Sequence, residues 1–226
     1  MWVKICANTN LDDALLAADA GADAVGFVFA ESARRVTADQ VAAITARLPK
    51  KLEKVGVFGD ARFDELVHSI EYGGLTGVQL HSAGDTELAA RLRSHFRNDL
   101  RILQVIHYRQ GLEAQLRAAQ ENSATDGVLI DSRTATLLGG TGQSYDWKAA
   151  SRRVAESASG LRLIVAGGLN PENVGEAIAT MRPWGVDVAT GVEISPGKKD
   201  PAKVRAFIEN ARIAAHRAKM ESPVEV

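Results

Sequence analysis

Short apolar runs alternate along the chain with segments whose apolar residues recur every three to four positions. Trp2-Val-Lys-Ile-Cys6 is short and β-prone, and polar Asn8-Thr-Asn10 follows it. From Leu11 the spacing of Leu11, Leu15 and Ala18 predicts a helix that Gly21 stops. Ala24–Phe29 is continuously apolar, as expected of a strand buried on both faces. After polar Glu31–Arg35, a helix capped by Thr37 turns Val41, Ile44 and Leu48 inward. The unit then repeats. Strands are predicted over Lys54–Phe58, Leu75–Leu80, Leu100–Ile106, Gly127–Asp131, Leu161–Ala166 and Gly185–Ala189. The helices between them carry Phe63, Leu66, Val67 and Ile70, then Leu88, Leu92 and Phe96, then Leu112 and Leu116. Further helices run from Trp147 through Val154 and along Val174, Ala177, Ile178 and Met181, and Pro201 opens the last.

Eight strand–helix units of roughly 25–30 residues each predict an α/β fold, a single (β/α)8 TIM barrel. The competing architecture is a doubly wound open sheet, but no Gly-x-Gly-x-x-Gly fingerprint follows the first strand. No Pro- or Ser-rich linker divides the chain. One domain is expected over residues 1–220, with a frayed tail at 221–226.

Composition narrows the function. Hydrophobic residues make up 46% of the 226 and charged residues 24%, enough to bury a large core. A formal net charge of −1 argues against a nucleic-acid partner, so an anionic ligand must be held by local groups. The one cysteine, Cys6, admits no internal disulfide and fits a reducing compartment. No signal peptide is read at the N-terminus, and no apolar run approaches the roughly 20 residues of a membrane span. The expectation is a cytoplasmic protein, a monomer rather than a homodimer, without nucleic-acid or membrane partners. No Cys/His pattern has metal-site spacing, so no metal is expected.

In such barrels the chemistry sits at the C-terminal strand ends and the loops that follow. Those positions carry Cys6, Arg34, Asp60, His81, His107, Asp131, Gly167-Gly168 and Thr190-Gly191. The glycine-bearing turns after strands seven and eight lead toward helix N-termini, the fold's usual phosphate position; alternatively the glycines only permit tight turns. Cys6 is either a base or nucleophile, or an inert buried thiol; as a thiolate it needs a cationic or dipolar neighbourhood. Asp131 closes an apolar run and faces a glycine-rich loop, Gly139-Gly-Thr-Gly142, readable as a lid. To donate a proton near neutral pH its carboxyl must be held protonated by burial. Arg34 is either a bidentate clamp for a carboxylate or a solvated charge beside Arg35. His81 either reaches the mouth of the barrel or bonds its own loop. His68, His95 and His216 read as surface residues on helices.

Taken in order, the motifs resemble those of the phosphoribosylanthranilate isomerase family. They are Val3-Lys-Ile-Cys6, Gly26-Phe-Val-Phe29 with Ser32-Ala-Arg34, Val55-Gly-Val-Phe58 and Val78-Gln-Leu-His81. Asp131 with Gly139-Gly-Thr-Gly142 and Tyr145-Asp-Trp147 follows, then Ala166–Val174, Val186–Glu193 and Pro196–Asp200. The resemblance implies an Amadori rearrangement of N-(5-phosphoribosyl)anthranilate without a cofactor. It also implies Asp131 as general acid, Cys6 as general base and Arg34 on the anthranilate carboxylate. Gly167, Gly168, Thr190 and Gly191 would hold the phosphate, with His81, Gly139 and Gly140 as further substrate contacts. The chain departs from the family pattern at Ala7-Asn8, where Gly-Leu is usual, at Ser82 for glycine and at Ala33 for proline. Because alanine resists positive φ, a differently shaped first loop is expected. Two other readings stand beside this one. One is a histidine-pathway-like isomerase, disfavoured because strand one ends in Cys6 and strand five in Ile106-His107 rather than in paired aspartates. The other is a non-catalytic barrel that binds a phosphorylated ligand.

Overall fold

All eight apolar runs form parallel strands. The computed structural model describes residues 1–81, 86–108, 111–131, 146–157 and 160–221. Its barrel strands are β1 (Trp2–Ile5), β2 (Ala24–Val28), β3 (Glu53–Phe58), β4 (Gly77–Leu80), β5 (Arg101–His107), β6 (Gly127–Asp131), β7 (Leu163–Val165) and β8 (Gly185–Val188). They hydrogen-bond in sequence order, and Trp2–Ile5 pairs residue for residue with Gly185–Val188, closing the sheet. That closure rules out the open doubly wound sheet.

The outer ring is α1 (Leu11–Asp19), α2 (Ala38–Thr45), α3 (Phe63–Gly73), α4 (Thr86–Phe96), α5 (Leu112–Glu121), α6 (Trp147–Ser157), α7 (Val174–Met181) and α8 (Pro201–Met220). Local chemistry sets several of these ends. The Asn10 side chain accepts from Asp13 N–H to start α1, and Thr37 and Gln40 form a capping box on α2. Asp200 caps α8 just ahead of Pro201.

Why the strands read as continuous apolar runs follows from their two faces. Val3, Ile5, Val25, Phe27, Val78, Ile102, Val128 and Ile130 point outward into the layer under the helices. Trp2, Ala24, Val55, Leu103, Val105, Leu129 and Ile164 point inward and fill the lower lumen, where Trp2 stacks on Trp184. Because side chains alternate, the inward columns continue upward from Trp2 to Lys4 and Cys6, from Leu129 to Asp131 and from Val105 to His107. The lumen therefore turns from apolar to polar toward the C-terminal ends.

The structure departs from expectation in a few places. β7 is three residues long and β4 begins only at Gly77, because neighbouring register, not hydrophobicity, sets where pairing stops. α2 ends at Thr45, so Leu48 is buried from the turn beyond it. A hairpin that was not foreseen, β9 (Glu193–Ser195) with β10 (Lys198–Lys199), turns through Gly197 at φ 79° and lies between β8 and α8. Residues 222–226 of the expected tail lie outside the described residues. Among the described residues no helix is long and apolar enough to cross a membrane.

Candidate active site

Strand alternation brings Lys4 and Cys6 to the same inward face of β1. Both are buried, and Lys4 is wholly shielded from solvent. Its Nζ donates to Gln79 Oε1 at 2.6 Å and lies 3.0 Å from Asp187 Oδ1 in an ion pair. Burial alone would push the Lys4 ammonium down, but Asp187 and Cys6 beside it carry it above its ordinary value. Gln79 Nε2 in turn lies 3.2 Å from His81 Nε2, and the His81 and His107 rings are 5.9 Å apart. The network thus runs from Cys6 through Lys4 and Gln79 to the histidines at the mouth. Lys4, Gln79 and Asp187 were missed in the sequence reading. A lysine inside an otherwise apolar strand, two residues before the cysteine, was the available signal.

The first loop corrects an expectation. Ala7 itself adopts positive φ, 62°, so the turn after Cys6 is left-handed without a glycine. Asn8 secures it: its backbone N–H donates to Gly26 O at 2.9 Å and its Nδ2 to Ile5 O at 2.8 Å. The buried amide holds the turn in a conformation that alanine disfavours.

Arg34 is not a solvated charge. Its Nε and Nη2 fork onto Glu193, with Nη2 2.7 Å from Oε2 and Nε 2.9 Å from Oε1. Glu193 also accepts from Lys199 Nζ at 3.2 Å and from Gly197 N–H at 3.3 Å. Burial opposes the Glu193 charge, yet Arg34 and Lys199 together hold its carboxyl below the usual range. Lys199, buried and facing that one carboxylate, is instead pushed down by burial. Asp13 on α1 anchors the hairpin by accepting Lys199 N–H at 3.0 Å. Glu193 and Lys199 were also missed, since Arg34 and Glu193 are 159 residues apart in the chain.

Asp131 ends β6 fully buried, in register with His107, and its carbonyl accepts Tyr108 N–H at 2.9 Å. Asp60 is exposed, as are His68, His95 and His216. The readings placed on Ser82, on the Gly139–Gly142 loop with its contacts at Gly139 and Gly140, and on Tyr145 lie outside the described residues.

The turns after β7 and β8 meet each other. Gly167 and Gly168 hold φ of 81° and 66°. Asn173 Nδ2 donates to Gly168 O at 2.9 Å, at the entry to α7. Thr190 and Gly191 form a 3₁₀ turn, and a Cβ on Gly191 would fall 1.9 Å from Leu169 O. Only a residue without a side chain lets the two loops sit this close.

Comparison with known proteins agrees with this fold. Residues 3–210 match the family model PRAI, N-(5′-phosphoribosyl)anthranilate isomerase. The N-(5′-phosphoribosyl)anthranilate isomerase of Chlorobaculum tepidum is 40% identical over 215 residues, covering 94% of this chain and 95% of its own. The crystal structure of phosphoribosyl anthranilate isomerase from Thermotoga maritima superposes with a TM-score of 0.82 at 35% identity, covering 94% of this chain and 98% of that one. A second solved isomerase, in complex with reduced 1-(o-carboxyphenylamino)-1-deoxyribulose 5-phosphate, superposes with a TM-score of 0.77 at 33% identity over the same shares. A third structure holds monomers generated from the dimeric Thermotoga maritima enzyme (TM-score 0.76, 33% identity, 94% and 98% covered).

Proposed function

The chain belongs to the N-(5′-phosphoribosyl)anthranilate isomerase family, and from that premise we infer that it catalyses one step of tryptophan biosynthesis. The step is the Amadori rearrangement of N-(5-phosphoribosyl)anthranilate to 1-(2-carboxyphenylamino)-1-deoxyribulose 5-phosphate. The observation that carries the residue roles is the pairing of two buried groups at one barrel mouth. A carboxyl, Asp131, and a thiol beside an ammonium, Cys6, both end inward columns.

Asp131 protonates the furanose ring oxygen as the C1′–O bond breaks, leaving a protonated Schiff base. Cys6 removes the C2′ proton, and the electron pair neutralises the iminium to give an enolamine. Ketonisation adds a proton at C1′ and releases one from the 2′-hydroxyl, while solvent returns Asp131 and Cys6 to their starting states. Arg34, oriented by Glu193, holds the anthranilate carboxylate, and Nη1 carries no partner among the described residues. The joined turns at Gly167-Gly168 and Thr190-Gly191 supply backbone N–H groups for the phosphate. His81 completes the mouth.

All the residues given these roles belong to one chain, which supports a monomer as the working form. The single cysteine, Cys6, fits a reducing compartment, which supports the cytoplasm. The test is purified, chelator-treated protein given fresh substrate, with product read by fluorescence. Turnover without metal or nucleotide is expected; tight binding of the product analogue without turnover would overturn the reading. Light scattering that finds a dimer at working concentration would overturn the monomer.

A further inference from the structure

Barrel lumens are ordinarily filled by branched aliphatic side chains, yet a lysine, Lys4, lies wholly buried in this one. A buried ion pair is weak evidence for a stabilising role, since an apolar side chain of similar volume packs as well. Its surroundings suggest another use. Gly26, on the neighbouring strand, leaves open the space in which Lys4 and Cys6 meet. A Cβ there would fall 2.6 Å from Cys6 Sγ and 2.8 Å from Lys4 Cε.

We propose that Lys4 is a positioning residue for Cys6: fixed by Asp187 and Gln79, its ammonium holds the neighbouring sulfur as a thiolate aimed into the barrel mouth. The inference rests on the reading of Cys6 as the general base. The charges around the sulfur support it. From β1 comes Lys4, from β8 Asp187, and from the hairpin and the β2 loop Lys199, Glu193 and Arg34. Of these, Lys4 and Lys199 are the cations whose charge reaches the sulfur. Asp13, on α1, accepts from Lys199 N–H and the Asn10 amide. His81, His107 and Asp131 complete the polar mouth. Asp131 lies on β6, separated from β1 by β7 and β8, whereas Lys4 and the Cys6 sulfur share the space beside Gly26.

Cys6 is the chain's one cysteine, so far-ultraviolet thiolate absorbance, blanked with Cys6→Ser, reports it alone. In the wild type the thiolate should form well below the ordinary thiol value of about 8.5. In Lys4→Gln and Lys4→Met, checked for folding by thermal melting, that titration should move up by at least about one pH unit. The acidic limb of kcat/KM should move with it and KM should hold, because Lys4 does not touch substrate. Lys4→Arg should restore most of the shift. An unchanged titration in a folded Lys4 variant would overturn the proposal. So would a wild-type thiol titrating at its ordinary value, a result that stands even if no Lys4 variant folds. Because absorbance is read without substrate, failure of the base reading is separable: full activity in Cys6→Ser would overturn that reading alone.

Discussion

Replacing Glu193 with glutamine tests whether the β9–β10 hairpin orients the carboxylate clamp. The substitution keeps the volume and one acceptor oxygen but removes the charge that Arg34 and Lys199 share. Removing one partner from a buried pair costs about 3–5 kcal/mol, chiefly because the other charge stays buried and uncompensated. Lys199 is wholly buried and cannot recover water, whereas the Arg34 side chain is 15% exposed and can in part. The expected loss in urea unfolding at neutral pH is therefore about 2–3 kcal/mol. Arg34 loses its fixed direction at the same time. KM should rise about tenfold, corresponding to about 1.4 kcal/mol, with kcat within about threefold of wild type. The pH dependence has a definite sign. The Glu193 carboxyl lies below its ordinary value in the folded state, so its contribution is full above about pH 4.5 and is lost as pH falls toward the depressed value. The stability gap between wild type and variant should narrow over that acid range. A loss under about 1 kcal/mol with unchanged KM would refute the orienting role.

Ala7→Gly should stabilise the protein by about 0.5–1 kcal/mol, since relief of about 1–2 kcal/mol of left-handed strain exceeds the entropic cost of glycine; destabilisation in urea titration would contradict the φ of 62°. Gly191→Ala places a Cβ against the Leu169 carbonyl and should cost at least about 2 kcal/mol. Whatever folded variant is recovered should bind inorganic phosphate at least about tenfold more weakly; calorimetry showing wild-type affinity would remove this turn from the phosphate site.

The barrel was legible because each strand is buried on both faces and each helix on one, so period alone separates them; Gly127–Asp131 was even read to its exact bounds. The sequence reading overextends β7 because Leu161 and Ala166 are apolar like the Leu163–Val165 run they flank, and pairing register sets where the strand stops. The hairpin at 193–199 is too short to show alternation, and its Pro196-Gly197 turn was the usable sign. At the site, strand-end residues could be found by position alone. Their supports could not: Glu193 reaches Arg34, and Asp187 reaches Lys4, only through closure of the sheet. Ala7 shows the opposite failure, a local preference overridden by the hydrogen bonds of Asn8.

The central claim is that Asp131 and Cys6 divide acid and base between them, and steady-state turnover of fresh phosphoribosylanthranilate by wild type, Asp131→Asn and Cys6→Ser tests it most directly. Each variant should bind the product analogue at near wild-type affinity while kcat falls by at least about 10²-fold. Wild-type kcat in either variant would contradict the assignment of that residue.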